Sequence, residues 1–132
     1  MKKPVRRYLA IFLGTAAAAY GMVGAVNLAV DPLDIFGTPK IAGFNAIKAD
    51  VDSHVRLAKA LQVRKLRPAG VVVGSSRALL GIDPESDNWP KDAKPVYNLS
   101  LYGGYLYEAL RYYQHALALG SVKRAVIAVD LW

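Results

Sequence analysis

The sequence predicts an α/β domain, a three-layer parallel sheet, carried behind one N-terminal transmembrane helix. Three observations lead there. Residues 8–30, YLAIFLGTAAAAYGMVGAVNLAV, contain no charged side chain. Three short apolar runs, GVVV, PVYNL and RAVIAVD, alternate with stretches of helical periodicity, the pattern of parallel strands joined by crossovers. The first two runs each open into a turn rich in glycine and serine.

The first seven residues form a basic tail, with Lys2, Lys3, Arg6 and Arg7 and no acid. As a helix, Tyr8–Val30 would extend about 34 Å, enough for a hydrocarbon core of about 30 Å. Its apolar character runs all round, unlike the one-sided stripe of a soluble helix. Positive charge before it and Asp31 after it predict a single-pass inner (plasma) membrane anchor. The N-terminus is then cytoplasmic and the rest periplasmic or extracellular. The rival is a cleaved signal peptide, whose apolar region usually runs about 7–15 residues. Residues 31–47, beginning DPLDIFGTPKIAGFN, are rich in Pro and Gly and read as an extended connector.

The α/β domain is expected over residues 48–132. Val51, Val55, Ala58 and Leu61 recur at helical spacing across residues 49–66, with Asp50 or Asp52 as a start cap and Pro68 as the stop. Gly70–Val73 has no polar alternation and reads as a strand buried on both faces. A helical turn follows at Ala78–Leu80, then a polar loop to Lys94 and a second strand over Pro95–Leu99. Tyr105–Leu119 places Leu106, Ala109, Leu110, Tyr113 and Leu117 on one side of a helix that Gly120 stops. Arg124–Asp130 is the third strand. Three parallel strands make a thin sheet with an open edge, so these residues read as the first part of a larger domain, its third strand ready to pair with a partner chain.

Composition removes several function classes. Cysteine is absent, which excludes disulfides, thiolate metal sites and a cysteine nucleophile. The net charge of +7 owes much to the N-terminal cluster, and no basic stripe interleaved with aromatics predicts nucleic-acid binding. There is no phosphate-binding loop with its Lys, no dinucleotide fingerprint and no cluster of metal-ligand spacing. No cofactor or metal is implied.

The chemistry sits in VVVGSSRALLGIDP, residues 71–84. A turn at the carboxyl end of a central strand is where open α/β sheets bind ligands. Gly74 permits the sharp turn. A serine after it stands near a helix N-terminus, where free N–H groups favour negative charge. Such a hydroxyl suits a nucleophile whose reaction creates an oxyanion, or it simply caps the helix. Arg77 either meets a substrate anion or pairs with Asp83 or Glu85. After the second strand, YNLSLYGGY, residues 97–105, brings Asn98, Ser100, Gly103 and Gly104 to the same edge.

Together the two blocks resemble the SGNH/GDSL hydrolase superfamily, most closely its membrane-anchored envelope branch, whose first block reads G-S-S-R or G-S-S-E. The resemblance covers roughly residues 69–130 and implies a flavodoxin-like fold. Gly74, Ser75 and Ser76 align with the family's Gly-Asp-Ser, so Ser76 would be the nucleophile and its N–H an oxyanion donor. Gly103, five positions after Asn98, would supply the second N–H. Gly74, Ser75, Arg77 and Asn98 would then bind substrate or anion. The implied activity is that of a serine esterase or acyltransferase acting on an envelope polysaccharide or other acylated polymer.

This chain departs from the family at Ser75, where Asp is usual, and lacks the third-block Asn and the Asp-x-x-His that supplies the base. His54 and His115 read as surface or packing residues, and Asp130 as a structural carboxylate at the third strand's end. The chain alone is therefore expected to be inactive. A non-catalytic, membrane-tethered binding or assembly subunit of the same fold is the other expectation. The tyrosines at 97, 102, 105, 107, 112 and 113 read either as a sugar-binding surface or as packing.

Overall fold

The computed structural model describes residues 3–130. Met1 and Lys2 of the basic tail, and Leu131 and Trp132 of the expected domain, lie outside the described residues. The chain divides into two compact units, residues 1–50 and 51–132.

The first unit is dominated by α1 (Lys3–Val30). The helix takes in most of the basic tail, and Pro4–Val30 is long and apolar enough to cross a membrane. Tyr8 and Phe12 stack one turn apart, with ring centroids 6.5 Å apart. Asp31 ends the helix in a left-handed conformation, φ 47°, and Pro32 cannot continue it.

Residues 31–47, expected as an extended connector, hold turns and bends at 32–36 and 42–47, joined by residues 37–41 without regular structure. The Asp31 carboxylate gathers the N–H groups of Ile35 (2.8 Å), Phe36 (3.1 Å) and Gly37 (2.9 Å). Its side chain is fully buried. Burial pushes its pKa up, but the converging N–H groups of Phe36, Ile35, Thr38 and Gly37 outweigh this and hold it below the usual carboxylate range. Asn45 organises the other half. It accepts from the Ile41 N–H and donates to the Ala29 and Pro39 carbonyls. Short polar side chains that bond nearby backbone favour turns over extension.

The second unit is an α/β layer structure. The helix expected over residues 49–66 is two: α2 (Ala49–Ser53), within which the division between the units falls, and α3 (Val55–Leu66). The break falls at His54, whose φ −122° and ψ 35° leave the helical region and make it the N-cap of α3. Then come β1 (Gly70–Val73), α4 (Ser76–Gly81), a 3₁₀ turn at Lys91–Ala93, β2 (Val96–Asn98), α5 (Leu106–Ala118) and β3 (Arg124–Ile127).

The three strands are parallel in the order β2-β1-β3, with Gly70 opposite both Val96 and Arg124. Successive side chains of β1 point to opposite faces, and both faces are covered. Val71 and Val73 join Val63 of α3 and Ala109 and Ala116 of α5. Val72 joins Ala78 of α4, Ala93 and Val96, with Trp89 packed against them. Helices thus lie on both faces of a central β1, the α/β arrangement the apolar runs predict. β3 is the exception, exposed along its whole length.

Candidate functional site

From β1 the chain passes through α4 on one face to reach β2, then through α5 on the other face to reach β3. The carboxyl ends of β1 and β3 therefore lie side by side where the strand order reverses, the crevice in which open α/β sheets hold ligands. A cavity of about 280 Å³ sits there. It is lined by Gly74 and Ser75 from β1, Gly104, Tyr105 and Leu106 at the start of α5, and Ala128, Val129 and Asp130 after β3.

Close packing fixes the floor of this crevice. A Cβ on Gly74 would lie 2.9 Å from the Cβ atoms of both Ala128 and Ala78, and 3.1 Å from the Ala128 carbonyl oxygen. Only glycine lets β1 turn into α4 while β3 passes this close. Gly104 approaches the same point, 3.3 Å from the Gly74 carbonyl by the same measure. The Leu101 N–H donates to that carbonyl at 3.1 Å, joining the second block to the first.

The two serines have different surroundings. Ser75 is the N-cap of α4 and accepts from the Arg77 N–H at 3.3 Å. Its hydroxyl also donates to the Asp130 carboxylate. Ser76, half-buried at the first position of α4, makes no hydrogen bond through its hydroxyl among the described residues. Its N–H, and that of Gly103, donate no backbone hydrogen bond there either. Gly103 stands in the left-handed region, φ 60°, with nothing within 4 Å of a would-be Cβ.

Arg77 pairs with neither Asp83 nor Glu85. Its guanidinium reaches Asp130 at 3.5 Å, an exposed contact of the kind usually worth under about 1 kcal/mol. Asp130 therefore holds both Ser75 and Arg77 to the end of β3. Asn98, expected to bind substrate or anion, is buried and is not among the residues lining the crevice between β1 and β3. Its amide nitrogen donates to the Ala78 and Ile82 carbonyls at 3.1 and 3.0 Å, closing the end of α4. Its amide oxygen accepts from the Ser100 N–H at 3.0 Å. Ser75 and Arg77 are thus brought together, with Gly74 beneath them, while Asn98 braces the scaffold.

Lys59 of α3 is a participant that sequence reasoning missed. Its ammonium donates to the Asn98 and Ser100 carbonyls at 2.8 and 2.7 Å, pinning the loop after β2. Burial pushes its pKa down to about 8. Nothing in the local sequence announces free carbonyls from residues about forty positions ahead. The start of α5 is held from α3 as well. Arg56 pairs with Glu108 at 2.7 Å, and Glu108 also accepts from the Tyr105 N–H. The Arg56 hydrogen bond, against some cost of burial, holds the Glu108 carboxyl below its usual range.

Neither histidine lines the crevice. His54 is exposed at the start of α3, and His115 Nε2 lies 2.9 Å from the Ala60 carbonyl. Among the described residues no group of three His, Cys, Asp or Glu could hold a metal ion. Tyr102, Tyr105 and Tyr107 are exposed around the second block, whereas Tyr97, Tyr112 and Tyr113 pack on the core. No protein-family model, curated protein or solved structure matches the chain significantly.

Proposed function

We propose that the chain carries the nucleophile side of a serine ester-processing domain, SGNH-like and flavodoxin-like in type, which α1 holds at a membrane. The observation behind this reading is the division between two adjacent hydroxyls at the strand-order reversal. Ser75 is committed to Asp130 and the helix cap, and Ser76 is left free. The strand order β2-β1-β3 also begins the order of flavodoxin-like sheets.

In the reaction, the Ser76 hydroxyl oxygen attacks an acyl carbonyl while a base takes its proton. The carbonyl oxygen becomes an oxyanion and accepts from the Ser76 and Gly103 N–H groups. Collapse expels the alcohol, which recovers a proton, and leaves an acyl ester on Ser76 for water or an acceptor hydroxyl. Among the described residues no histidine lines the crevice, so in this reading the base comes from outside that set. Exposed Tyr102, Tyr105 and Tyr107 favour an envelope sugar as acyl carrier, since aromatic faces pack on apolar sugar surfaces. Lys3, Arg6 and Arg7 before the apolar span favour a domain on the outer side of the membrane.

A second reading has its own support. It is Ser75, not Ser76, that lines the cavity, as in a binding or assembly subunit that keeps the fold without the chemistry. A fluorophosphonate, which phosphonylates activated serines, separates the two when applied to a membrane extract in which the chain keeps its native partners. The expected adduct lies on Ser76; it disappears in Ser76→Ala and persists in Ser75→Ala. A chain that takes no label in a membrane extract containing its native partners supports the binding subunit. Hydrolysis of a small acetyl ester that survives Ser76→Ala would overturn the proposed nucleophile.

A further inference from the structure

We infer that residues 31–48 form a collar that seats in the membrane interface, with Phe36, Ile41, Phe44 and Ile47 inserted among the lipid headgroups. This rests on the reading that α1 spans the bilayer and says how the chain meets the lipid where that span ends.

The first ground is attachment. The last carbonyls of a helix have no partner within it. Here side chains of the collar supply them. Asn45 donates to the Ala29 carbonyl at 2.8 Å, and the Lys48 ammonium donates to the Val30 carbonyl, also at 2.8 Å. A cation at this end is favoured by the helix dipole as well. Asp31 then folds the first half of the collar around its carboxylate. The collar is therefore fastened to the final turn of α1 and goes to whatever depth that turn occupies.

The second ground is that depth. The uncharged stretch Tyr8–Val30 would measure about 34 Å against a hydrocarbon core of about 30 Å. Val30 therefore emerges at headgroup level, and the collar with it.

The third ground is what the collar displays. Phe36, Ile41, Phe44 and Ile47 are 62%, 56%, 58% and 88% exposed. Two of its polar side chains behave oppositely, Asp31 and Asn45 being turned inward and buried. Polar groups satisfied inside and apolar ones displayed outside is the inversion expected of a segment bathed in lipid. Lys40, exposed and 3.6 Å from Asp34, keeps a cation at the surface for headgroup phosphates.

The chain has no cysteine, so single-cysteine variants report depth without a background to remove. Spin labels go on Phe36→Cys, Phe44→Cys and Ile47→Cys in the full chain, reconstituted in nanodiscs of phosphatidylethanolamine and phosphatidylglycerol. Met22→Cys, exposed on α1, marks lipid, and Asp87→Cys, in the polar loop of the other unit, marks water. Accessibility to oxygen and to a water-soluble nickel chelate is read at each. The collar labels are expected to be several-fold less accessible to nickel than position 87 and more accessible to oxygen. Nickel accessibility equal to that of position 87, with position 22 still lipid-buried, overturns the collar and leaves the anchor standing. Water exposure at position 22 overturns both.

Discussion

β1 and β3 look alike as sequence and differ completely as structure. GVVV and AVI are both uninterrupted apolar runs, yet every residue of β1 is buried and every residue of β3 is exposed. The strands are direct neighbours in one sheet, so pairing does not separate them. Coverage does. β1 has helices packed on both its faces. Among the described residues β3 pairs along one edge only, and Ile127 is 52% exposed. An apolar run states what a strand tolerates, and the neighbours decide what it receives. The crevice at the ends of these two strands accordingly has one rigid wall and one loosely covered wall.

The sharpest way to break the contrast is to force the strands apart where they meet. In Gly74→Val the new side chain would strike Ala128 and Ala78, both already at 2.9 Å from a Cβ alone. Overpacking of this kind costs about 3 kcal/mol or more when neither neighbour can retreat. Urea unfolding of the detergent-solubilised chain, followed through tryptophan fluorescence in a Trp132→Phe background so that Trp89, packed against the Val72 cluster, is read, should show at least that loss. An unchanged midpoint would mean that β3 is free to move off β1.

Val72→Ala comes next. It removes two methyl groups from a fully buried position between α4 and the sheet, a loss of about 2–3 kcal/mol with the cavity included. A cost below about 1 kcal/mol would mean that the face over Val72 collapses readily, and β1 would then resemble β3 after all.

Much of this unit was legible in advance because its signals are local. The unbroken Val71–Val73 run, the 3.6-residue rhythm of α5 and the stop at Gly120 all name their elements. Gly74 followed by serines placed the turn. The remainder depends on contacts distant in the chain. Nothing near Ser75 shows that Asp130, rather than Asp83 or Glu85, waits for its neighbour Arg77. Nothing near Asn98 shows that the carbonyls ending α4 will claim its amide. The connector misled for the opposite reason. Pro and Gly spelled loop correctly, but folding it took one aspartate and one asparagine whose hydrogen-bonding reach composition does not reveal. A helix long and apolar enough to cross a membrane was legible, since length and lack of charge are what the residues state directly.

The other edge strand, β2, sharpens the comparison because a half-buried lysine props its end, whereas the ion pair on β3, Arg124 with Asp92, is exposed. Lys59 holds the carbonyls of Asn98 and Ser100. Burial lowers its pKa to about 8 in the folded chain, against about 10.4 when unfolded. The unfolded state therefore binds more protons between these values, and stability should rise with pH across that window and fall as pH drops through 8. Tyr112, whose pKa burial raises, acts in the opposite sense near and above pH 10, so the interval from 8 to 9.5 isolates Lys59. The slope stays under about 1.4 kcal/mol per pH unit, the limit for one proton, and partial solvation of the amine reduces it further. In Lys59→Met the slope should vanish while the two carbonyls lose their donor, lowering stability by about 1–3 kcal/mol. A slope that survives the substitution would locate the titration elsewhere.

The smallest expected effect tests β3 itself. Val126 is 36% exposed, and Val126→Thr keeps the branched shape that a strand favours while making the surface polar. For the isolated chain the change should stay within about 0.5 kcal/mol, as at other surface positions. If an added strand, from a second copy or a partner, covers β3 in the membrane, the same substitution acts on that assembly instead. It would then weaken co-purification or cross-linking of the partner and leave the urea midpoint of the isolated chain alone. A loss in the isolated chain as large as that of Val72→Ala would show that β3 is already packed in solution, and the difference between the two strands would disappear.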